Sequence, residues 1–182
     1  MTQLINDLHQ DHRNISALLT ILKNKLATLK TGARPNFSLM AEVVDYLCDY
    51  GDEYHHAKEN LIYHYLIDQY PKKAQLVEQQ MKEHEELHLL TSQLSNSVNQ
   101  VLMDMPLSLG EFTDQLHLFI EKQGQHLNHE ECKVFPIIEQ CFSGEDWQNI
   151  DRKLPTREDP LFGHDRDKRY NILYEALIED LT

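Results

Sequence analysis

Apolar residues that return every three or four positions, over four long stretches parted by short turns, commit this chain to helix. In the first stretch Leu4, Leu8, Ile15, Leu18, Leu19, Leu22 and Leu26 keep that step, and Gly32 closes it. The spacing predicts helices over about 2–30, 38–70 and 71–104, and a fourth from the turn at 105–108 to about 142. Pro71 suits the first turn of the third helix, whereas Pro136 should kink the fourth. Only 6 Gly and 6 Pro occur, and no clean alternation of Val, Ile, Thr or aromatic residues marks a strand. The expected fold is all-α: an up-down-up-down antiparallel four-helix bundle with a short helix and a C-terminal helix appended. Residues 1–142 read as the bundle and 143–182 as a helical extension, with a short helix near 145–152 and a loop holding Pro155 and Pro160. In the last helix, from about Asp165, Tyr170, Leu173, Tyr174, Leu177 and Leu181 form an apolar stripe. That stripe must cover the bundle or meet a second subunit, which would make a homodimer.

Charge narrows the partners. The formal net charge is −13 and the 17 basic residues are scattered, a balance that repels nucleic acid and anionic membrane surfaces. No apolar run approaches the roughly 18–20 residues needed to cross a bilayer, and the first residues lack the basic and apolar regions of a signal peptide. Cys48, Cys132 and Cys141 show no paired spacing, which fits free thiols in a reducing cytoplasm.

Histidine is the residue type out of line, with 11 in the chain. On the third stretch Val77, Met81, His84, His88, Thr91, Ser95, Val98 and Leu102 step by three and four, so two histidines interrupt a core-facing row. On the second, Val44, Cys48, His55, Glu59, Ile62 and Leu66 share a stripe. On the fourth, Leu116, Phe119, His126, Val134 and Ile137 face inward, and Glu130 and Glu131 follow His126. The first offers His12 between Leu8 and Ile15. In an antiparallel bundle His12, His55, Glu59, His84, His88, His126 and Glu131 fall in one slab roughly 9 Å thick, where independent placement would scatter them over roughly 45 Å of helix.

Any one of these residues has an ordinary structural explanation, but five imidazoles and two carboxylates gathered in an apolar interior need partners. Metal ions supply them: nitrogen and oxygen donors without thiolate suit iron, manganese or zinc, and seven donors exceed one tetrahedral site. His9, His56, His64, His117, His129 and His164 read as exposed or supporting residues, Cys132 as a small buried side chain, and Glu83, Glu85 and Glu86 as a solvated face.

At these residues the sequence resembles the hemerythrin / HHE cation-binding family, over Leu4 to about Cys141. The family pattern is a lone His followed by HxxxE, HxxxH and Hxxxx(D/E). Here it reads His12; His55-His56-Ala57-Lys58-Glu59; His84-Glu85-Glu86-Leu87-His88; and His126-Leu127-Asn128-His129-Glu130-Glu131, trailed by Val134-Phe135-Pro136. The resemblance implies two iron ions in a non-heme di-iron centre, one with three histidines and one with two, bridged by Glu59 and Glu131. Glu130, spaced as in the family's di-iron repair relatives and nearer His126 by helical angle, competes for that bridge. Asn60 and His64 depart from the second Glu and the Pro that many members carry.

Three functions fit that pattern. The first is a protein that binds or senses dioxygen, nitric oxide or peroxide, or handles iron, behind apolar walls that include Leu22, Phe119 and Leu127. The second is an enzyme that reduces peroxide or donates iron in repair, and the third is a metal-free helical interaction module.

Overall fold

The computed structural model describes residues 3–154 and 157–181. Thr2 and Pro155 lie outside the described residues, as does the side chain of Leu181. The described chain is helical with no strand among the described residues. Helix α1 spans Gln3–Lys30, and the chain turns at Gly32, whose φ of 79° suits a residue without Cβ. The second long helix comprises α2 (Phe37–Tyr46), a π-helical stretch Leu47–His55, and α3 (His56–Gln69). Asn36 caps its start by accepting from the Leu39 N–H. Pro71 opens a 3₁₀ turn, Pro71–Lys73, that leads into α4 (Ala74–Leu102). The fourth long helix comprises α5 (Leu109–His129), a π-helical stretch Glu130–Val134, and α6 (Phe135–Cys141).

Helix α5 packs against both α1 and α4, and α4 packs against α2 and α3, an arrangement consistent with a hemerythrin-type helical bundle. The core has two parts. One gathers Leu18, Leu22, Val43, Leu94, Val98, Phe112 and Phe119; the other gathers Ile5, Leu8, Ile62, Val77, Val134 and Ile138. Along each long helix the chain passes from one apolar part to the other across a short polar stretch, and those stretches hold the histidines and carboxylates.

Two local features set the orientation of that polar layer. In both π-helical stretches the backbone bonds i to i−5: His56 N–H donates to Gly51 O, and Phe135 N–H donates to Glu130 O. Each adds a residue to a turn and shifts every later side chain around the axis, and such widened turns are often found at functional sites. Pro136, which lacks an N–H, falls in the first turn of α6, so the expected interruption takes the form of a widened turn ahead of the proline.

The extension folds back on the bundle. Ser143 caps α7 (Gly144–Asp151) in a reciprocal box with Asp146, and α8 (Asn171–Leu181) packs on α2. Leu173 and Tyr170 are buried there, with the Tyr170 ring 5.7 Å from that of Tyr46. The segment before α8 grips the first π-helical stretch. Arg157 and Arg169 both reach the Asp49 carboxylate, at 2.7 and 3.2 Å, the Arg157 N–H donates to Tyr54 Oη, and Tyr46 Oη donates to Asp159. No helix of the described residues is long and apolar enough to cross a membrane.

Candidate metal centre

Five imidazoles surround two buried carboxylates between the apolar halves of the core. Glu59 and Glu130 are both 0 % exposed. Glu59 Oε1 lies 3.2 Å from His12 Nε2 and 3.4 Å from His55 Nε2, while its Oε2 lies 3.3 Å from His84 Nε2. Glu130 Oε2 lies 3.2 Å from His126 Nε2 and 3.5 Å from His12 Nε2, and its Oε1 lies 3.4 Å from His84 Nε2. His56 stacks on His84 at 4.2 Å between ring centroids. The donor atoms of His56, Glu59, His84 and His126 all lie within 4.8 Å of one another, as do those of His12, His55 and Glu59. Glu59 belongs to both groups.

The rings share one orientation: Nε2 faces inward and Nδ1 faces an oxygen outside. His12 Nδ1 meets Glu131 Oε1 at 2.8 Å, and His55 Nδ1 meets Asp11 Oδ2 at 3.0 Å. His84 Nδ1 meets Asn60 Oδ1 at 2.8 Å, and His126 Nδ1 meets Glu83 Oε2 at 3.2 Å. Asp52 Oδ1 stands 3.4 Å from His56 Nδ1. An Nδ1–H donated outward leaves an Nε2 lone pair facing inward, the arrangement by which outer carboxylates and amides orient metal-binding imidazoles. Tyr63 Oη donates to Glu130 Oε1 at 2.6 Å, and Lys58 Nζ donates to Asp11 at 2.6 Å.

Most of the inner atoms lack such partners, although His12 Nε2 bonds Glu59 Oε1 and His84 Nε2 bonds Glu130 Oε1. His55 Nε2, His56 Nε2, Glu59 Oε2, His126 Nε2 and Glu130 Oε2 are all buried without a hydrogen bond. His55 Nε2 stands 3.4 Å from Glu59 Oε1, Glu59 Oε2 3.3 Å from His84 Nε2 and Glu130 Oε2 3.2 Å from His126 Nε2, with geometry that does not align a hydrogen. Donors about 2.1 Å from a shared ion stand roughly 3 Å apart, so this crowding suits donors that converge on ions. The residues fit a bound metal.

Electrostatics tell the same story for the metal-free chain. Burial opposes charge on His12 and His84, yet hydrogen bonds donated by the rings to Glu131, Glu59 and Glu130 and the charges of the inner carboxylates raise the two rings to about 10 and about 9. Burial also works against the Glu59 carboxylate, but His55, His12 and His84 hold it well below its ordinary range. Burial and the neighbouring His84 keep His56 neutral, well below the usual histidine value. Without metal, protons on the flanking rings must do what cations would otherwise do.

Of the seven residues singled out from the sequence, His12, His55, Glu59, His84 and His126 meet here. His88 does not: its side chain is 57 % exposed, with Nδ1 3.6 Å from Asp52. The buried row of α4 is Val77, Gln80, His84, Leu87, Thr91, Leu94 and Val98. The expected stripe shares its every-seventh members, Val77, His84, Thr91 and Val98, but takes the residue after each intervening core position, so Leu87 faces in and His88 out. Glu131 does not meet Glu59 either. The helix between His126 and Glu130 is regular, so the residue four later keeps the face, and the widened turn comes only after Glu130. Glu131 instead joins His12 to His9, whose Nδ1 lies 2.8 Å away, and its side chain is 34 % exposed. Glu130 and His56 enter in their place. His56 could have been found from the histidine pair beside Glu59 had a widened turn been foreseen. Cys132, expected inside, is exposed.

Fold and site thus define a helical protein built around a buried carboxylate–histidine cluster that could hold metal ions. The model of the hemerythrin HHE cation binding domain matches residues 3–138, and the chain belongs to that family. Neither a curated protein nor a solved structure matches it.

Proposed function

We propose that this protein holds a non-heme di-iron centre and uses it to bind or sense a small ligand such as dioxygen, nitric oxide or peroxide. The carrying observation is the orientation of five imidazoles, each with Nδ1 toward an outer oxygen and Nε2 toward Glu59 or Glu130 or their immediate neighbours. His56, His84 and His126 would hold one ion and His12 and His55 the other, with Glu59 and Glu130 shared between them. That keeps the five-histidine, two-carboxylate composition expected for the family, with His56 standing for His88 and Glu130 for Glu131. It also accords with the up-down-up-down order of helices inferred from the short turns.

Bound iron would supply a Lewis-acidic, redox-active position for a small ligand. The chain's own contribution is orientation and exclusion of water. Asp11, Asp52, Asn60, Glu83 and Glu131 fix the rings, Tyr63 holds Glu130 by a hydrogen bond, and the buried Leu22, Phe119 and Leu127 belong to the apolar cluster on one side. One observation favours the peroxide-reducing or iron-donating repair reading as a second choice. Glu130, four residues after His126, faces inward, and that is the spacing of the family's repair relatives.

Anaerobic reconstitution with ferrous iron followed by elemental analysis tests the proposal. The expected result is two irons per chain in the parent protein and a loss of at least one in Glu130→Ala. A parent protein that retains less than one metal per chain after reconstitution would sink the proposal and favour a metal-free interaction module.

A further inference from the structure

The five rings of the centre differ in what stands behind them. His84 leans on the neutral amide of Asn60, and His12 and His126 lean on Glu131 and Glu83, whose side chains are partly exposed so that water screens their charge. Asp52, behind His56, is nearly buried and meets the exposed imidazole of His88 at 3.6 Å. Behind His55 the arrangement is unlike the others. Asp11 Oδ2 takes both the ring nitrogen, at 3.0 Å, and the Lys58 ammonium, at 2.6 Å, and the acid and lysine side chains are each 8 % exposed. Lys58 is the one buried lysine or arginine among the described residues. Its Nζ lies 4.9 Å from the centre of the Tyr54 ring and 5.8 Å from that of Tyr50, and Tyr50 Oη donates to the other oxygen of Asp11 at 3.4 Å. A buried cation is costly, and orienting an imidazole does not require one, since Asn60, Glu83 and Glu131 orient theirs without it.

We propose that Lys58 is a positioning residue that acts through Asp11 to hold the iron position beside His55 toward the ferrous state. This rests on the metal reading above and adds how the chain sets the redox balance of that site. A fixed positive charge disfavours the more positive of two oxidation states, most strongly where burial keeps water from screening it. The lysine also draws on the carboxylate that receives the His55 Nδ1–H, which leaves the ring a weaker donor than one backed by a free carboxylate. Among the described residues no lysine or arginine pairs with Asp52, Asn60 or Glu83, the residues behind His56, His84 and His126. The chain itself thus makes the two iron positions unequal.

The test uses iron-loaded protein, with the reduction potential read from the optical spectrum against an electrode and iron content measured on the same samples. Lys58→Met, which keeps the length of the side chain, should shift the balance about tenfold toward ferric iron, a fall of about 59 mV for one electron. Asp11→Asn should shift it the other way by a similar factor, and Lys58→Arg should stay near the parent. Opposite signs mark an effect of charge, because a pair that served only to pack the helices would send both variants the same way. Removing a cation should not weaken the capture of metal cations, so loss of iron from Lys58→Met overturns the proposal. A parent potential in that variant at full iron content overturns it too, as does a shift of the same sign in both variants. Those outcomes leave the metal reading intact, whereas a parent protein that takes up no iron overturns both.

Discussion

The polar layer and the apolar core on either side of it are made by the same four long helices, yet they are stabilised in opposite ways. Leu94, Val98, Phe112 and Leu116 gain by leaving water and need no particular partner, only a close fit. Glu59, Glu130 and the five rings lose by leaving water, and in the metal-free chain that loss is offset by protons on His12 and His84 together with the hydrogen bonds of Tyr63 and the outer residues. Stability should therefore respond to packing in one region and to ligand and pH in the other.

Metal removal should produce the largest effect. At a thousandfold excess over its Kd, a metal that binds only the folded chain adds about 4 kcal/mol, or roughly 10 °C in Tm for a chain of this size. Calorimetry with and without a chelator measures it, and equal melting would erase the contrast between the regions. Next comes Leu94→Ala in the apolar part, which should cost about 3 kcal/mol through its cavity. The variant should keep the parent iron content, and a loss of iron would mean the two regions are not separable.

Third is pH. His12 and His84, held at about 10 and about 9 without metal, carry protons at neutral pH that an ion must displace. Metal affinity should rise with pH by about tenfold per unit for each ring, then level as pH passes these values. The metal-free fold behaves in reverse: stabilisation from the two raised rings is complete below the ordinary value of 6.5 and is lost as pH climbs through about 9 to about 10. Affinity measured by competition at several pH values would contradict this if it stayed flat. The smallest effect belongs to His88→Ala, an exposed side chain, which should change stability by less than about 0.5 kcal/mol and leave iron content alone.

Helix positions and the depth of the polar layer were legible in the sequence because they depend on spacing along each helix. The first helix runs to Lys30 and the second ends at Gln69, within a residue of expectation. Which of two adjacent residues faces inward was not legible. In α4 the apolar row could be drawn through His88 or through Leu87, since steps of three and of four both join one turn to the next, and only packing chose Leu87. Near Glu59 and after Glu130 the obstacle was different. A single added residue per turn leaves no mark in composition, yet it turns His56 inward beside His55. Asn60, which departs from the usual family residue, proved to orient His84 through its side-chain oxygen.

The grip of Arg157 and Arg169 on Asp49 carries a consequence for descent with modification. The over-wide coil that they brace delivers His55 and His56, so a descendant could keep every histidine and glutamate and still mis-aim two of them once the brace was gone. The tail thus takes part in aiming two imidazoles that neither arginine touches.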